Sequence, residues 1–254
     1  MDVRDIAVAT ITLVRSPDEE GVLHDSLSAL AAIDVPITVA DGGSPEPFVR
    51  AIADLPTVTV VHAEGRGLVG QVRASLARAA RRGTPWLLYT EPDKREFFAR
   101  HLVDFLHRSA VNPDSGIVLA SRSPASFETF PPVQHYTETV ANRLCADATG
   151  LAVDFMYGPF LLTPRLLPFL EQLPSEVGWG WRPFLFGLAP RLGLRVASVE
   201  GDYVCPPSQQ VTDEAERLHR MRQLSQNIDG LVRSATTVAD HEAPKHTKTV
   251  RRKA

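Results

Sequence analysis

Two carboxylates, Glu91 and Asp93, stand one residue apart, and only Thr90 separates them from the short apolar run Trp86–Tyr89. Such a run predicts a buried β-strand. Open α/β sheets place ligand-binding groups at the carboxyl ends of their strands. Two carboxylates this close repel each other unless a cation or a proton lies between them. The spacing therefore indicates a divalent-metal site that holds a phosphorylated substrate, although a strand end followed by a Pro-Asp helix cap explains it too.

A second polar turn, Asp41-Gly42-Gly43-Ser44, follows the apolar run at residues 35–40. Two glycines after an aspartate predict a tight turn, at which the backbone comes close to whatever binds above the sheet. An aspartate that only forms the turn is the competing explanation.

The third motif, Gly65-Arg66-Gly67-Leu68-Val69-Gly70, follows a predicted strand at residues 57–61 and opens a helix. With Glu91 about twenty residues further on, it matches the dinucleotide-binding fingerprint. An NAD(P)-dependent Rossmann oxidoreductase is therefore an alternative. Three features weigh against it: three residues separate the strand from Gly65, the motif follows the third strand, and two acids stand where one suffices for a ribose.

The elements that must position these motifs alternate between strand and helix as far as residue 121. Apolar runs predict five strands, and apolar residues at helical spacing predict the helices between them. The strands fall at residues 6–14, 35–40, 57–61, 86–90 and 116–121. This order predicts an α/β fold with a mostly parallel central sheet and right-handed crossovers.

The alternation fails beyond residue 121. Residues 122–133 carry three prolines without a period and predict a functional loop. The remaining predicted elements are a helix at 134–149, a strand and short helix at 160–173, a Gly/Trp turn at 178–181, a strand at 195–202 and a helix at 211–231.

Composition excludes several classes of protein. The 254 residues carry 27 basic and 30 acidic side chains, and a net charge of -3 gives no basic field for nucleic acid. Cys145 and Cys205 are far apart, which predicts reduced thiols in a cytoplasmic protein. The charged N-terminus is unlike a signal peptide, and no apolar run is long enough for a transmembrane segment.

Taken in order, these motifs resemble a GT-A fold glycosyltransferase, closest to family 2. Asp41 to Ser44 is similar to the family's D-[DG]-G-S-x-D pattern, with Glu46 where a second Asp is usual. Residues 65–74 resemble G-x-G-x-x-x-A-R-N, with Arg73 at the Arg and an alanine at the Asn. Glu91-Pro92-Asp93 takes the place of the D-x-D metal motif. The resemblance covers residues 6–121.

The resemblance implies a GT-A-like domain over residues 1–234, with a nucleotide-binding half at 6–121 and an acceptor-side half at 122–234. The basic segment 235–254 is expected to be disordered. The implied reaction moves a sugar from a UDP- or GDP-sugar to an unknown acceptor with Mg²⁺ or Mn²⁺. The residues implied in donor binding are Asp41, Gly43, Ser44, Arg66, Gly67, Arg73 and Glu91, and those implied in metal binding are Asp93 and Glu91.

The C-terminal half departs from the family. Family 2 enzymes commonly carry an acid pair, which includes the catalytic base, after a glycine-aromatic turn, but here that turn leads into Arg182. Glu176 and Asp154 are the nearest candidates for the base, although surface or capping roles also explain them. Two explanations are open for the two tryptophans of the turn: they stack on a sugar ring, or they fill the core. The missing base leaves open an inactive protein that only binds a nucleotide-sugar.

His219 carries a further resemblance. Mannosylglycerate synthase-type enzymes supply a late histidine as an extra metal ligand, and Leu218-His219-Arg220 occupies a comparable position. A solvent-facing histidine on an amphipathic helix explains the same residue.

Overall fold

The computed structural model, which describes residues 1–63 and 67–238, is built around a seven-stranded sheet. The strands are β1 (Ile6–Thr12), β2 (Ile37–Asp41), β3 (Val58–His62), β4 (Trp86–Tyr89), β5 (Ser115–Arg122), β6 (Phe160–Leu162) and β7 (Arg195–Gly201). Their order across the sheet is β3-β2-β1-β4-β6-β5-β7. Only β6 runs antiparallel to its neighbours, β4 and β5. The mostly parallel α/β sheet predicted from the sequence is confirmed.

Helices flank the sheet on both sides. They are α1 (Pro17–Ala31), α2 (Glu46–Ala53), α3 (Gly67–Ala80), α4 (Leu102–Arg108), α5 (Pro124–Phe127), α6 (Pro132–Thr149), α7 (Leu167–Leu170), α8 (Trp181–Arg191) and α9 (Glu214–Thr236). A π-helical turn, Phe97–His101, precedes α4, and 3-10 turns include Ser175–Gly180 before α8 and Pro207–Gln209 before α9.

Local sequence accounts for the helix ends. Ser16 accepts a hydrogen bond from the Glu19 amide at 3.3 Å, and Pro17 occupies the first turn of α1. Both features favour a helix start, because they satisfy or remove amides that have no partner within the helix. At the other end of a helix, α6 stops at Gly150, whose φ of 72° is the left-handed conformation that glycine adopts most easily.

The sheet separates two apolar layers. On one face α1, α2 and α4 cover the strands with side chains such as Leu27, Phe48 and Phe105. On the other face α3, α6 and α8 do so, with Leu76 and Phe186 among the buried residues. Because both faces are covered, β1 is buried along its whole length.

Three sequence predictions need correction. The segment 122–133 is not an irregular loop, because it contains the end of β5, the short helix α5 and the start of α6. The Gly/Trp segment is a 3-10 turn that continues into α8, which is buried from Trp181 to Ala189 and therefore shows no amphipathic period. Helix α9 extends to Thr236, two residues into the predicted tail, whereas residues 239–254 lie outside the described part.

None of the helices in the described ranges combines the length and the apolar character needed to cross a bilayer. Cys145 and Cys205 are both free thiols and both buried. Burial raises the pKa of the Cys145 thiol to about 12, so it is an unreactive core residue at neutral pH.

Candidate functional site

The candidate site lies at the carboxyl edge of the sheet, where β1 separates β2 from β4. The chain leaves β1 for β2 and β3 and then returns to β4 on the other side, and open α/β sheets bind ligands at such a reversal. The strand register pairs Thr12 with Asp41 and Ala9 with Tyr89. Asp41 and Glu91 therefore flank the end of β1, two strand spacings or about 10 Å apart.

Asp41 is buried at the end of β2 and shapes the turn that follows. One carboxylate oxygen accepts hydrogen bonds from the amides of Gly43, at 2.8 Å, and Ser44, at 2.9 Å, while the other accepts from Thr12 Oγ1 at 3.1 Å. Gly43 has a φ of 110°, which disfavours any residue with a side chain. Ser44 Oγ in turn accepts from the Val14 amide at 2.9 Å. The turn-forming role is observed, and a nucleoside contact for this turn stays a prediction.

Gln71 is a buried residue of α3 that the sequence analysis did not single out. Its amide nitrogen donates to the carbonyl oxygens of Thr12, at 2.8 Å, and Ala40, at 3.0 Å. It lies against Gly42, where a Cβ atom would collide with it. Gln71 therefore joins the ends of β1 and β2 and holds the turn in place beneath the candidate site.

The glycine motif is placed only in part. Gly67 begins α3 with a φ of 75°, and residues 65 and 66, including the predicted donor ligand Arg66, lie outside the described residues. Arg73 does not match its predicted role at a diphosphate. Its guanidinium donates to the carbonyls of Leu170 (2.9 Å from Nε) and Leu173. Because these bonds satisfy carbonyls at and just beyond the end of α7, we assign Arg73 to the structure of the domain.

Glu91 forms an ion pair with Arg182, the residue that stands where the family resemblance led us to expect a catalytic acid. Nη1 of Arg182 donates to Glu91 Oε1 at 2.5 Å, and the two side chains are 4% and 12% exposed. Arg182 stands in the first turn of α8, next to Trp181, whose ring packs edge-on against Tyr89 with centroids 4.6 Å apart. Trp181 thus fills the core and anchors Arg182 at the end of β4. The ring centroid of Trp179 lies 5.3 Å from Cζ of the Arg182 guanidinium.

Asp93 also has partners within the chain. Gln209 donates to Asp93 Oδ2 at 2.8 Å, and Lys94 Nζ lies 3.2 Å from Oδ1. Gln209 belongs to the 3-10 turn Pro207–Gln209, which places the segment before α9 against the acid pair. The sequence contains no local signal for this contact, because 116 residues separate Gln209 from Asp93.

Several buried polar atoms around the end of β4 make no hydrogen bond to any part of the chain that is described. They are Tyr89 Oη, Glu91 Oε2, Asp93 Oδ1 and Arg182 Nε. Of these, Asp93 Oδ1 is ion-paired with Lys94 but accepts no hydrogen bond. Such atoms are rare in folded proteins, because an unpaired buried polar group is costly. Burial raises the pKa of Tyr89, and the charge of Glu91 raises it further, so the phenol stays protonated. The arrangement suits a ligand that brings both a cation and anionic oxygens.

Glu91 and Asp93 fit a divalent metal that is shared with a substrate. Each has one buried carboxylate oxygen without a hydrogen bond, and Mg²⁺ is typically held by one or two carboxylates together with substrate phosphates. Within residues 1–63 and 67–238, no group of three or more His, Cys, Asp or Glu side chains is placed to hold a metal ion. His219, exposed on α9, is therefore not gathered with the acid pair as predicted. Partial burial lowers its pKa, as does the charge of Arg220.

Asp154, a predicted catalytic base, is part of a buried ion cluster. It accepts hydrogen bonds from Arg122 Nε at 2.6 Å and from Asn142 and the Met156 amide at 3.0 Å. Arg122 also binds Glu138. Burial alone would raise the pKa of Asp154, but the charge of Arg122 and these hydrogen bonds outweigh it and leave the pKa below its usual value. A carboxylate so stabilised in its charged form is a poor base, and we correct its role to a structural one.

The other predicted base, Glu176, is exposed in the 3-10 turn Ser175–Gly180. The residue that this part of the chain delivers to the acid pair is Arg182, further along the same segment. Neither predicted base is therefore brought to Glu91 by a contact in the structure.

The Asp154 cluster leads to a prediction about stability. Asp154→Asn should lower the free energy of unfolding at pH 7 by about 3 kcal/mol, because it removes one partner of a buried pair. A lowered pKa contributes stability above the unfolded-state pKa, and that stability is lost as the pH falls through the folded-state value. The difference in free energy of unfolding between wild type and variant should therefore become smaller below pH about 4. Urea unfolding at pH 7 and pH 3.5 measures this, with exposed Asp147→Asn as control.

The topology does not support the Rossmann alternative. Strand β3, which precedes the glycine motif, is an edge strand, and both β2 and β1 lie between it and β4. Glu91 is therefore three strand spacings, or about 14 Å, from the strand whose turn it would have to complete. The dinucleotide fingerprint needs its acid close to the glycine turn, on the adjacent strand.

Comparison with known proteins gives no match by sequence: no family model and no curated protein matches the chain. Solved structures do match. Glucosyl-3-phosphoglycerate synthase from Mycobacterium tuberculosis, in complex with Mn²⁺, UDP-glucose and phosphoglyceric acid, has a TM-score of 0.61 and 21% identity, covering 91% of this chain and 79% of that chain. Its complex with UDP has a TM-score of 0.61 and 22% identity over 91% and 80%. A further mycobacterial protein has a TM-score of 0.64 and 18% identity over 90% and 75%.

The chain has a GT-A-like fold. The predicted fold class and the resemblance are thereby confirmed, and at 18–22% identity the likeness extends to the fold alone. In this GT-A-like fold the Asp41 turn and the Glu91–Asp93 pair lie at the same edge of the sheet, on either side of β1.

Proposed function

We propose that this GT-A-like protein transfers a sugar from a nucleotide-diphosphate sugar to an acceptor, with a divalent metal. The observation that carries the proposal is the acid pair after β4: Glu91 and Asp93 each present a buried oxygen without a hydrogen bond, at the reversal point of the sheet. The structures of similar fold that contain UDP-glucose and Mn²⁺ support the same assignment.

The candidate donor-binding residues form two groups, one on each side of the end of β1. We assign the turn formed by Asp41, Gly43 and Ser44 to the nucleoside, because the Asp41 carboxylate fixes its backbone amides at the end of β2. Gln71 holds the ends of β1 and β2 together beneath the turn. Asp93 and Glu91 would hold Mg²⁺ or Mn²⁺ together with the diphosphate. When bound, the metal supplies Lewis-acid stabilisation of the charge that develops on the leaving diphosphate.

Arg182 and Lys94 add fixed positive charge at the same place. Both lie within ion-pair distance of the acid pair, Arg182 at Glu91 and Lys94 at Asp93. Preorganised cations of this kind stabilise a developing anion without having to reorganise during the reaction. Two further features of the proposal, the UDP or GDP base of the donor and a cytoplasmic location suggested by the free thiols, rest on the residues alone.

A second candidate function is nucleotide-sugar binding without turnover. The observation that favours it is Arg182, a cation in the segment where a catalytic acid is expected, together with the structural role of Asp154. An assay for release of nucleoside diphosphate distinguishes sugar transfer from binding without turnover. Incubation with UDP- and GDP-hexoses and Mn²⁺ should yield free nucleoside diphosphate when an acceptor is present, whereas a binding protein saturates with donor and releases none.

The turn at Asp41 provides a prediction of its own. Asp41→Ala should weaken nucleotide-sugar affinity by about 0.5–1.5 kcal/mol, because it removes one hydrogen bond to the nucleoside, and should leave metal binding unchanged. Isothermal titration at saturating Mn²⁺ measures the affinity. Thr12→Val is the matched control, since it removes the hydroxyl that binds Asp41 while keeping the carboxylate. Equal donor affinity in wild type and Asp41→Ala would leave Asp41 as a turn-forming residue only.

A further inference from the structure

Helix α9 presents an apolar stripe to solvent on the face away from the domain. Leu218, Met221, Ile228 and Val232 are 41%, 56%, 40% and 57% exposed. With Ser225 between them, these positions are separated by three, four, three and four residues. This is the spacing of a helix that packs along its length against another helix.

The opposite face of α9 is packed against the domain, so the helix cannot rotate about its axis to bury the stripe. Asn227, Gly230 and Ser234 are buried there. A Cβ atom on Gly230 would collide with the backbone of Gly180, and a Cβ atom on Gly180 would collide with the carbonyl of Gln226 on α9. Arg191 binds the Ser234 carbonyl and holds the C-terminal part of the helix.

We infer that this stripe packs against α9 of a second copy of the chain, with the two helices antiparallel about a two-fold axis at Ser225. The sequence positions are symmetric about that residue to within one position: Leu218 and Val232 lie seven residues on either side of it, and Met221 and Ile228 lie four before it and three after it. Leu218 then faces Val232 of the second copy, and Met221 faces Ile228 of the second copy. A patch that is complementary to itself is what a two-fold interface requires. The small Ser225 stands where the helix axes come closest.

The charges beside the stripe select this orientation. Arg222 and Asp229 flank it on one side, and antiparallel pairing places Arg222 opposite Asp229 of the second copy, twice by symmetry. Asp229 is 44% exposed and already accepts from Arg233 at 2.8 Å, which leaves its second oxygen for this contact. A parallel pair would instead place Arg217 of one copy beside Arg222 of the other, and like charges there disfavour it.

The interface is small, so we expect a weak dimer. Four partly exposed apolar side chains per copy amount to less than the surface that a standard stable interface buries, which is on the order of 800 Å² per partner. Association in the micromolar range is therefore the expected behaviour of the full chain.

Sedimentation velocity of the full chain from 1 to 200 μM tests the inference. We expect the sedimentation coefficient to rise with concentration, and Met221→Glu to raise the dissociation constant at least tenfold. Val103→Glu is the matched control, because Val103 is 44% exposed on α4, away from α9. A chain that stays monomeric to 200 μM, or a dimer unaffected by Met221→Glu, would overturn the inference.

A charge exchange tests the register independently. Arg222→Glu and Asp229→Arg should each weaken association, and the double variant should recover most of the wild-type affinity because the two charges still meet across the axis. Failure of the double variant to recover, with circular dichroism showing an intact fold, would contradict the antiparallel pairing. Co-flotation of a monomeric chain with vesicles of anionic lipid would assign the stripe to a membrane surface instead and overturn the dimer.

Discussion

Asp93→Asn should reduce Mn²⁺-dependent binding of a nucleotide-sugar by at least about 100-fold, because the loss of even an outer-shell partner of a metal ligand costs about 10–100-fold. The substitution removes the charge and leaves an oxygen that still accepts from Gln209, so the contact with the segment before α9 is kept. The melting temperature of the free protein should therefore stay close to that of wild type. Isothermal titration of UDP- and GDP-sugars with and without Mn²⁺ measures the effect.

The matched control for this variant is Asp104→Asn on α4, an aspartate that is likewise ion-paired with a basic residue of its own segment, Arg108. It should bind donor and metal as wild type does. If Asp93→Asn retains wild-type affinity and the same response to Mn²⁺, the metal is not held at the acid pair, and the site assignment is wrong.

Arg182→Met should lower the free energy of unfolding about as much as Asp154→Asn does. It leaves Glu91 buried without its cation, and breaking a buried pair costs about 3 kcal/mol. For a domain of this size that corresponds to a fall in melting temperature of about 6–12 °C. Differential scanning fluorimetry without metal measures the fall, with Arg100→Met, a solvent-exposed partner of Glu96, as control.

Two companion measurements identify the cause. Arg182→Met combined with Glu91→Gln should recover most of the lost stability, because no unpaired charge remains buried. Mn²⁺ with a nucleotide-sugar should stabilise the single variant more than wild type, because the metal then compensates a carboxylate that has no other cation. An Arg182→Met protein as stable as wild type would show that the pair does not neutralise Glu91.

The sequence was informative wherever the signal is local. The first five strands follow from apolar runs, and the acids after β4 and the turn at Asp41 were predicted at the ends of their strands. The carboxyl ends of parallel strands lie at the same edge of a sheet, so the acids and the turn were expected to meet there. The Asp-Gly-Gly-Ser turn was recognisable because Gly43 needs a conformation that few residues adopt.

The partners of the acid pair were not predictable in the same way. Arg182 and Glu91 are 91 residues apart, and α8, which carries Arg182, is buried all round and so lacks the period that marks a surface helix. Asp154 was misjudged for the related reason that its partner Arg122 lies in a segment that appeared irregular. In each case the ion pair exists only through tertiary packing.

Isothermal titration of the wild-type chain with UDP-sugars, GDP-sugars, NAD and NADP, each with Mn²⁺ and with a chelator, tests the central claim most directly. The account predicts saturable binding of a nucleotide-sugar that requires the metal, and no binding of either dinucleotide. Micromolar binding of NAD or NADP that is indifferent to the chelator, with no response to any nucleotide-sugar, would contradict it.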